Sequence, residues 1–365
     1  MSKAWNFNAG PSMIPTEVMQ KARDEFLDFN GLGLGVVEMS HRSAEFDKVA
    51  KHCEEQLRAL LGIPNYYKVI FEQGGGRGQF AAIPMNILPE GGKADYFVTG
   101  HWSRSAYNEC SERYGEAILH ECVKTDPEGC LYIDYDEMKV SEGSSYAYIC
   151  VNETVNGIEI NNLPDTGGVP LVADMSSNIL TRPIDVNRFD VIIFGAQKNL
   201  APAGITVTIV RGDLLGRSRQ YCPSVLDWTV LDKYESMYNT PCTFSWYMAD
   251  LALNWIESIG GVQELEKRNA AKSKLLYDYI DGSGFYYCPI APQDRSRVNC
   301  VFYLRDESKN DQFLKDARRS RMIGLKGHKA LGGMRASIYN AMPIEGVEAL
   351  IAFLKDFASR NSDAG

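Results

Sequence analysis

The sequence lacks the spacings that usually mark metal sites and disulfide frameworks. Its five histidines never occur as HxH or HExxH, so we expect no metal site. Its nine cysteines are an odd number and include no CxxC pair, in a chain far longer than a disulfide-stapled domain. Free thiols and a reduced, cytoplasmic location are therefore expected.

Long apolar runs and a positive charge balance are also absent. No stretch approaches the roughly 18 apolar residues of a membrane helix, and the first residues, MSKAWNFNAGPSMIP, contain no apolar core of a secretory signal. The net charge is −9 and the isoelectric point about 5.2, which argues against a nucleic-acid partner. An anionic substrate would need a local positive pocket.

The pattern that is present is an alternation of strands and helices. Apolar, β-branched runs such as KVIFE, YAYIC, PLVAD and DVIIFGA alternate with amphipathic segments, which predicts a mainly parallel α/β sheet covered on both faces. A helix over 16–29 is predicted to start with Thr16 as its N-cap. The texture changes after Gly261, so we predict a large domain over 16–260. A smaller α+β domain would combine 1–15 with 261–365.

Five candidate features lie at or near the predicted carboxyl ends of strands, where open α/β sheets bind ligands. The glycine-rich Gly74–Gly78 opens a helix and suits a phosphate. The indole of Trp102 could stack on a ring, and the hydroxyl of Thr154 could bond a ligand. Asp174 could keep a ring nitrogen protonated. Lys198 follows an apolar strand, where desolvation favours a neutral, nucleophilic amine.

Each feature also has a plainer interpretation. These are a tight turn, core packing, a turn hydroxyl, a helix cap and a lysine whose ammonium reaches solvent. Taken together, however, they are the parts that hold pyridoxal phosphate: phosphate contacts, ring stacking, a carboxylate for the pyridine nitrogen and an amine. The combination therefore predicts that cofactor.

Two basic clusters could form the positive pocket. EMSHRSAEF supplies His41 and Arg42, and KGHKALGGMRAS supplies His328, Lys329 and Arg335. Arginine binds carboxylates and phosphates through two parallel hydrogen bonds. Ordinary solvated surface charge is the alternative for either cluster alone.

The chain as a whole resembles the phosphoserine aminotransferase family of class V, fold-type-I pyridoxal phosphate enzymes. The shared motifs include FNAGPSMIP, GGGRGQFAAIPMN, NETVNGIEI, ADMSSNILTRPIDV, FGAQKNLAPAG and GGMRASIYNAMP. The resemblance implies an aspartate aminotransferase-like fold with a mainly parallel seven-stranded sheet and a smaller C-terminal domain. It also implies a homodimer whose cofactor site is shared between subunits.

The resemblance further implies roles for single residues around the cofactor. Lys198 would form the Schiff base, Asp174 would pair with the pyridine nitrogen, Trp102 would stack on the ring and Thr154 would bond its phenolic oxygen. The remaining cofactor contacts would be Gly76, Arg77 and Gln197, with Asn239 and Thr240 donated by the other subunit.

At the substrate, the resemblance implies that Arg335 clamps the α-carboxylate. His41, Arg42 and His328 would hold the distal phosphate or carboxylate. Lys329 departs from the family, which usually has arginine there, so we expect weaker or less selective phosphate binding.

The implied reaction is ping-pong transfer of an amino group from glutamate to 3-phosphohydroxypyruvate in serine biosynthesis. The sequence leaves open whether 4-phosphohydroxythreonine, in pyridoxine synthesis, is also a substrate. An alanine- or serine-glyoxylate type aminotransferase and a non-enzymatic anion-binding protein are the alternatives.

Overall fold

The computed structural model describes residues 4–361, in which strands and helices alternate along most of the chain. The α-helices α1–α9 are, in chain order, Thr16–Glu25, Ala44–Leu61, Gly75–Ile87, His101–Arg113, Trp228–Lys233, Thr243–Ser258, Gly261–Gly282, Asn310–Arg319 and Ile344–Asn361. The strands β1–β16 are Trp5–Asn6, Tyr67–Glu72, Ala94–Val98, Ala117–Glu121, Val123–Thr125, Leu131–Ile133, Ala147–Cys150, Asn152–Glu153, Ile158–Glu159, Leu171–Asp174, Val191–Gly195, Thr206–Arg211, Tyr286–Tyr287, Asn299–Leu304, Met322–Ile323 and Met334–Ser337.

A seven-stranded sheet forms the centre, in the order β2-β12-β11-β10-β7-β3-β4. The pairs β11–β10, β10–β7, β7–β3 and β3–β4 are parallel. Strand β12 is antiparallel to both of its neighbours, so β2 runs in the same direction as the parallel strands. The predicted mainly parallel seven-stranded sheet is confirmed.

Both faces of this sheet are buried, as a continuous apolar run predicts. Along β11, Val191 and Ile193 pack into one core while Ile192 and Phe194 pack into the core on the opposite face. Because successive side chains of a strand point to opposite faces, an apolar residue at every position is needed to fill both layers. The helices therefore cover the sheet on both sides.

The carboxyl ends of five strands, β2, β3, β7, β10 and β11, meet at one edge of the sheet. The chain leaves each strand there through a short connection rich in polar residues and glycine. This edge gathers side chains that are far apart in the sequence.

A second, antiparallel sheet, β13-β14-β16, lies in the C-terminal part of the chain. The N-terminal strand β1 pairs with β15, Trp5 opposite Met322, so the arm contacts this part of the chain. The division into 16–260 and 1–15 with 261–365 stays a prediction, and residues 1–3 and 362–365 of it lie outside the described residues.

The first predicted helix needs a correction. It runs from Thr16 to Glu25, with Pro15 rather than Thr16 at the N-cap position. Its predicted last turn is instead an irregular connection, in which the Phe29 amide donates to the Leu34 carbonyl at 2.8 Å. Asn30 has φ +54°, which an α-helix cannot accommodate, and the buried Phe29 ring packs edge-on against Tyr247.

Candidate active site

A cavity of about 260 Å³ lies at the edge where the five strands end. Seven of the predicted cofactor residues line it: Gly76, Arg77, Trp102, Thr154, Asp174, Gln197 and Lys198. Its other walls come from Phe80, Cys150, Asn152 and the serines at 176 and 177. The structure therefore brings the strand-end candidates together in one place.

Lys198 lies half-buried in the turn after β11. Its Nζ donates to Oγ1 of Thr154 at 2.7 Å, across the end of the neighbouring strands. Burial lowers the pKa of Lys198, and the negative field of Asp174 opposes this lowering. A lysine held in this way has the lowered pKa that a nucleophile or base needs near neutral pH.

Asp174 is the last residue of β10 and is 4% exposed. Its Oδ1 accepts a hydrogen bond from the Ser176 amide at 2.8 Å, and its Oδ2 accepts one from the Tyr148 hydroxyl at 3.4 Å. These two donors fix the carboxylate while it faces the cavity. It can therefore stabilise a positive charge placed there.

The glycine-rich segment forms the start of α3. Gly74 has φ +103° and Gly75 has φ +65°, conformations that favour glycine and that turn the chain from β2 into the helix. The first amides of α3 face this end of the cavity with the positive end of the helix dipole. Arg77 adds a cation, 5.7 Å from the centre of the Trp102 ring.

Trp102 is held by a residue that the sequence interpretation missed. The carboxylate of Glu153 accepts from the amides of Trp102 at 2.9 Å and Ser103 at 2.8 Å, and so caps the start of α4. Glu153 is fully buried, and burial raises its pKa while the hydrogen bonds from Ser103 oppose the increase. Its place in NETVNG, directly before Thr154, was the available signal.

The indole nitrogen of Trp102 is buried and finds no acceptor within residues 4–361. Buried indole groups usually have a hydrogen-bond partner.

Arg335 and His328 lie beside the cavity rather than in its wall. Arg335 donates from Nη1 to the Thr154 carbonyl at 3.1 Å, while its buried Nε has no partner in the described chain. The His328 ring lies 4.8 Å from that of His101, which packs edge-on against Trp102. Burial, followed by the charges of His328 and Arg77, lowers the pKa of His101.

Besides Arg335 and His328, five more predicted residues do not line the cavity within one chain. Asn239 lines a neighbouring cavity of about 330 Å³, and the Thr240 carbonyl accepts from Gln73 at 3.0 Å. His41 accepts from Arg42 at 3.4 Å, and neither residue lines the cavity. Lys329 is exposed.

The N-terminal arm closes the back of the Lys198 turn. The Ser12 amide donates to the Gln197 carbonyl at 3.0 Å, and the Ser12 hydroxyl donates to the Lys198 carbonyl. Gly10 has φ +151°, and a Cβ added there would lie 3.5 Å from Cγ of both Gln197 and Lys198. The close approach of the arm was not anticipated from the sequence.

Residues 4–361 lack the features of two other kinds of site. No helix in this range is both long and apolar enough to cross a membrane. In the same range, no three acidic, cysteine or histidine side chains cluster closely enough to hold a metal ion.

Comparison with known families agrees with this arrangement. The family described as Aminotransferase class-V matches residues 4–350. The chain belongs to the class-V aminotransferase family. The resemblance drawn from the sequence motifs is therefore confirmed, and with it the fold-type-I architecture.

Individual relatives extend over the whole chain. The phosphoserine aminotransferase of Azotobacter vinelandii is 51% identical over 364 residues, 98% of this chain and 99% of that protein. The solved phosphoserine aminotransferase of Bacillus circulans subsp. alkalophilus is 42% identical with a TM-score of 0.93, covering 98% of this chain and 99% of that one. A phosphoserine aminotransferase from Trichomonas vaginalis, solved with bound pyridoxal phosphate, is 37% identical with a TM-score of 0.91, covering 97% and 100%.

Proposed function

We propose that this protein transfers the amino group of L-glutamate to 3-phosphohydroxypyruvate, giving O-phospho-L-serine and 2-oxoglutarate, with pyridoxal phosphate as cofactor. The observation that carries the proposal is the Lys198–Thr154–Asp174 arrangement, found in a chain about half identical to phosphoserine aminotransferases along its full length. The same relatives disfavour the glyoxylate-type alternative. The cations near Trp102 also disfavour it, because the small neutral side chains of its substrates carry no negative charge to pair with them.

The residues present fit the cofactor. The start of α3 and Arg77 suit its phosphate, and the ring face of Trp102 suits its pyridine ring. Asp174 is the acidic partner for the ring nitrogen, and Lys198 is the amine. All of these residues line the same cavity, which supports the role proposed for each of them at the cofactor.

When bound, pyridoxal phosphate supplies a carbon that carries the amino group and a ring that takes up the electrons released at the substrate Cα. Lys198 then acts as the base that removes the Cα proton and as the acid that delivers it to the cofactor carbon that carries the amino group. Burial keeps a neutral fraction of this amine available, and Thr154 directs its Nζ. Asp174 keeps the proton on the ring nitrogen, which makes the ring a better electron acceptor.

Arg335 binds the α-carboxylate that both amino acids and both keto acids share. Its position next to Thr154, whose carbonyl accepts from Nη1 of Arg335, supports this role. Because donor and acceptor occupy the same position in turn, the reaction proceeds in two half-reactions with ping-pong kinetics. His41, Arg42, His328 and Lys329 are proposed to hold the distal phosphate or carboxylate.

We further propose a cytoplasmic homodimer with a shared site. Asn239 and Thr240 lie outside the Lys198 cavity of their own chain, as residues donated to a partner would. Large apolar side chains between residues 19 and 37 are exposed, among them Leu27 at 82% and Leu32 at 50%. A second copy covering them would remove this apolar surface from water.

The proposed cytoplasmic location is supported by the cysteines. All nine are free, as expected for a protein in a reducing compartment.

The test combines a visible spectrum with a substrate panel. The purified protein should be coloured and should use 3-phosphohydroxypyruvate much faster than glyoxylate, with glutamate as donor. Lys198→Ala should lower turnover at least about thousandfold and change the visible absorbance. Lys51→Ala, at an exposed lysine paired with Asp47, is the matched control and should change neither. Full turnover by Lys198→Ala, or a preference for glyoxylate, would refute the proposal.

A further inference from the structure

A second lysine is buried more completely than Lys198. Lys272 lies on the inner face of α7 and is 2% exposed. Its Nζ donates to three main-chain carbonyls: Ile338 at 2.9 Å, Tyr339 at 2.8 Å and Met342 at 2.9 Å. No carboxylate of the described residues forms an ion pair with it. The ammonium is thus held by backbone oxygens alone.

This arrangement requires the charged form. An ammonium carries three N–H donors, one for each of the three carbonyls, whereas a neutral amine has two. Burial lowers the pKa of Lys272 to about 7, and Arg268 adds to this lowering. The carbonyl oxygens act in the opposite direction, because they stabilise the charge. A methionine would fill the same space without this desolvation cost, so packing alone does not explain a lysine here.

The three carbonyls belong to one turn, residues 338–342, directly after β16. Strand β16 carries Arg335. Within the turn, the Tyr339 hydroxyl donates to the Ala9 carbonyl at 2.8 Å, and the Asn340 amide donates to Oδ1 of Asn199 at 3.3 Å. Asn199 follows Lys198 directly. The turn therefore connects the arm, the strand of Arg335 and the Lys198 turn.

Two asparagines complete the same connection. Asn340 donates from Nδ2 to the Leu180 carbonyl at 3.0 Å and accepts from Asn269 at 2.8 Å. Asn269 lies on α7, one turn before Lys272. Helix α7 therefore forms two sets of hydrogen bonds with the turn, one from the ammonium of Lys272 and one from the side-chain amide of Asn269.

We propose that Lys272 is a positioning residue, whose ammonium closes the 338–342 turn and so sets Arg335 and Asn199 in register with Lys198. Lys272 is not among the residues that line the cavity, so it acts through the turn. Its effect on substrate binding rests on the function proposed for Arg335. Its effect on the turn does not.

The first test is kinetic, on the cofactor-loaded enzyme. Lys272→Met keeps the side-chain volume and removes the three donors. We expect KM for both glutamate and the keto acid to rise about tenfold, with kcat changed less, because a misplaced Arg335 weakens a contact common to both half-reactions. Lys274→Met, at an exposed lysine on the same helix, is the control and should leave both constants unchanged. A Lys272→Met enzyme with unchanged KM would overturn the proposal.

The second test is hydrogen exchange, which does not depend on the reaction. Amides of residues 335–342 and 199 should exchange faster in Lys272→Met than in Lys274→Met, while the central sheet keeps its protection. Faster exchange confined to α7, or spread evenly over the chain, would contradict the proposal. If Lys272→Met does not fold, Lys272→Arg is judged by the same two criteria. A wild-type enzyme without transaminase activity would refute the proposed function and leave the exchange result valid.

Discussion

The imidazole of His101 lies between the rings of His328 and Trp102, with ring centres 4.8 and 5.2 Å away. His101 therefore links the wall of the Lys198 cavity to the cluster proposed for the distal phosphate. Arg77 and His328 both disfavour its protonation. A doubly negative group bound here would reverse that effect.

We expect binding of O-phosphoserine to be coupled to proton uptake by His101. An anion beside the His101 ring raises the pKa of His101, so up to about one proton is taken up near pH 7. Calorimetry in two buffers of different ionisation enthalpy measures this number. His101→Asn should take up fewer protons than wild type, whereas His52→Asn, paired with Asp250, should match it. Equal uptake in His101→Asn would show that His101 does not sense the phosphate.

Lys329→Arg should improve binding of phosphorylated substrates. A guanidinium can make two parallel hydrogen bonds to a phosphate where an ammonium acts as a point charge. We expect KM for 3-phosphohydroxypyruvate to fall several-fold, with kcat nearly constant, which corresponds to roughly 1 kcal/mol. Alanine, which has no distal anion, serves as the comparison substrate. A fall in KM for alanine of the same size would point to a general effect and against this role.

Glu72→Gln should change how stability depends on pH. Glu72, at the end of β2, is 6% exposed, and burial raises its pKa to about 7 against the hydrogen bonds of Thr208 and Gln79. Between pH 4.5 and 7 the unfolded chain loses this proton while the folded chain keeps it. The free energy of unfolding therefore falls as pH rises through that window.

The glutamine variant removes this term. Denaturant unfolding should give it up to about 3 kcal/mol more stability than wild type at pH 8, and nearly equal stability at pH 4.5. Glu128→Gln, at an exposed glutamate, is the control and should follow wild type at both pH values. A constant difference at both pH values would mean that Glu72 does not titrate in this range.

Mixing two defective variants tests the shared site. Lys198→Ala lacks the amine, and the double variant Asn239→Ala with Thr240→Ala lacks the residues proposed to come from the partner. Subunit exchange should restore about one quarter of wild-type activity. Half of the dimers become hybrids, and each hybrid contains one intact site and one site with both defects. If Asn239 and Thr240 served their own chain, no hybrid would have an intact site and activity would stay absent.

The sequence predicted well what single strands determine. The strand cores are apolar runs with β-branched residues, and Asp174 and Lys198 stand where such runs end, so their common edge followed from the parallel order. Helix α6 was harder to find. Its residues from Ser245 to Asp250 are all buried, so the pattern has no polar face that would reveal a helical period.

Contacts between distant segments were beyond sequence reasoning. Glu153 ends the two-residue strand β8, and only the fold brings it to the start of α4, fifty residues earlier. Lys272 has the helical spacing of a core position but the side chain of a typical surface residue. The sequence around it does not show that three carbonyls of a distant turn accept its hydrogen bonds. These roles depend on packing, which no single segment encodes.

The hydrogen bond from Tyr339 to Ala9 joins residues 330 positions apart in the chain. Contacts of such large sequence separation carry the highest loop-closure cost, so they form late during folding. The central sheet can assemble before the arm and the 338–342 turn meet behind Lys198. In refolding, secondary structure should therefore recover before the ability to bind the cofactor. A chain whose central sheet has already formed would still be inactive.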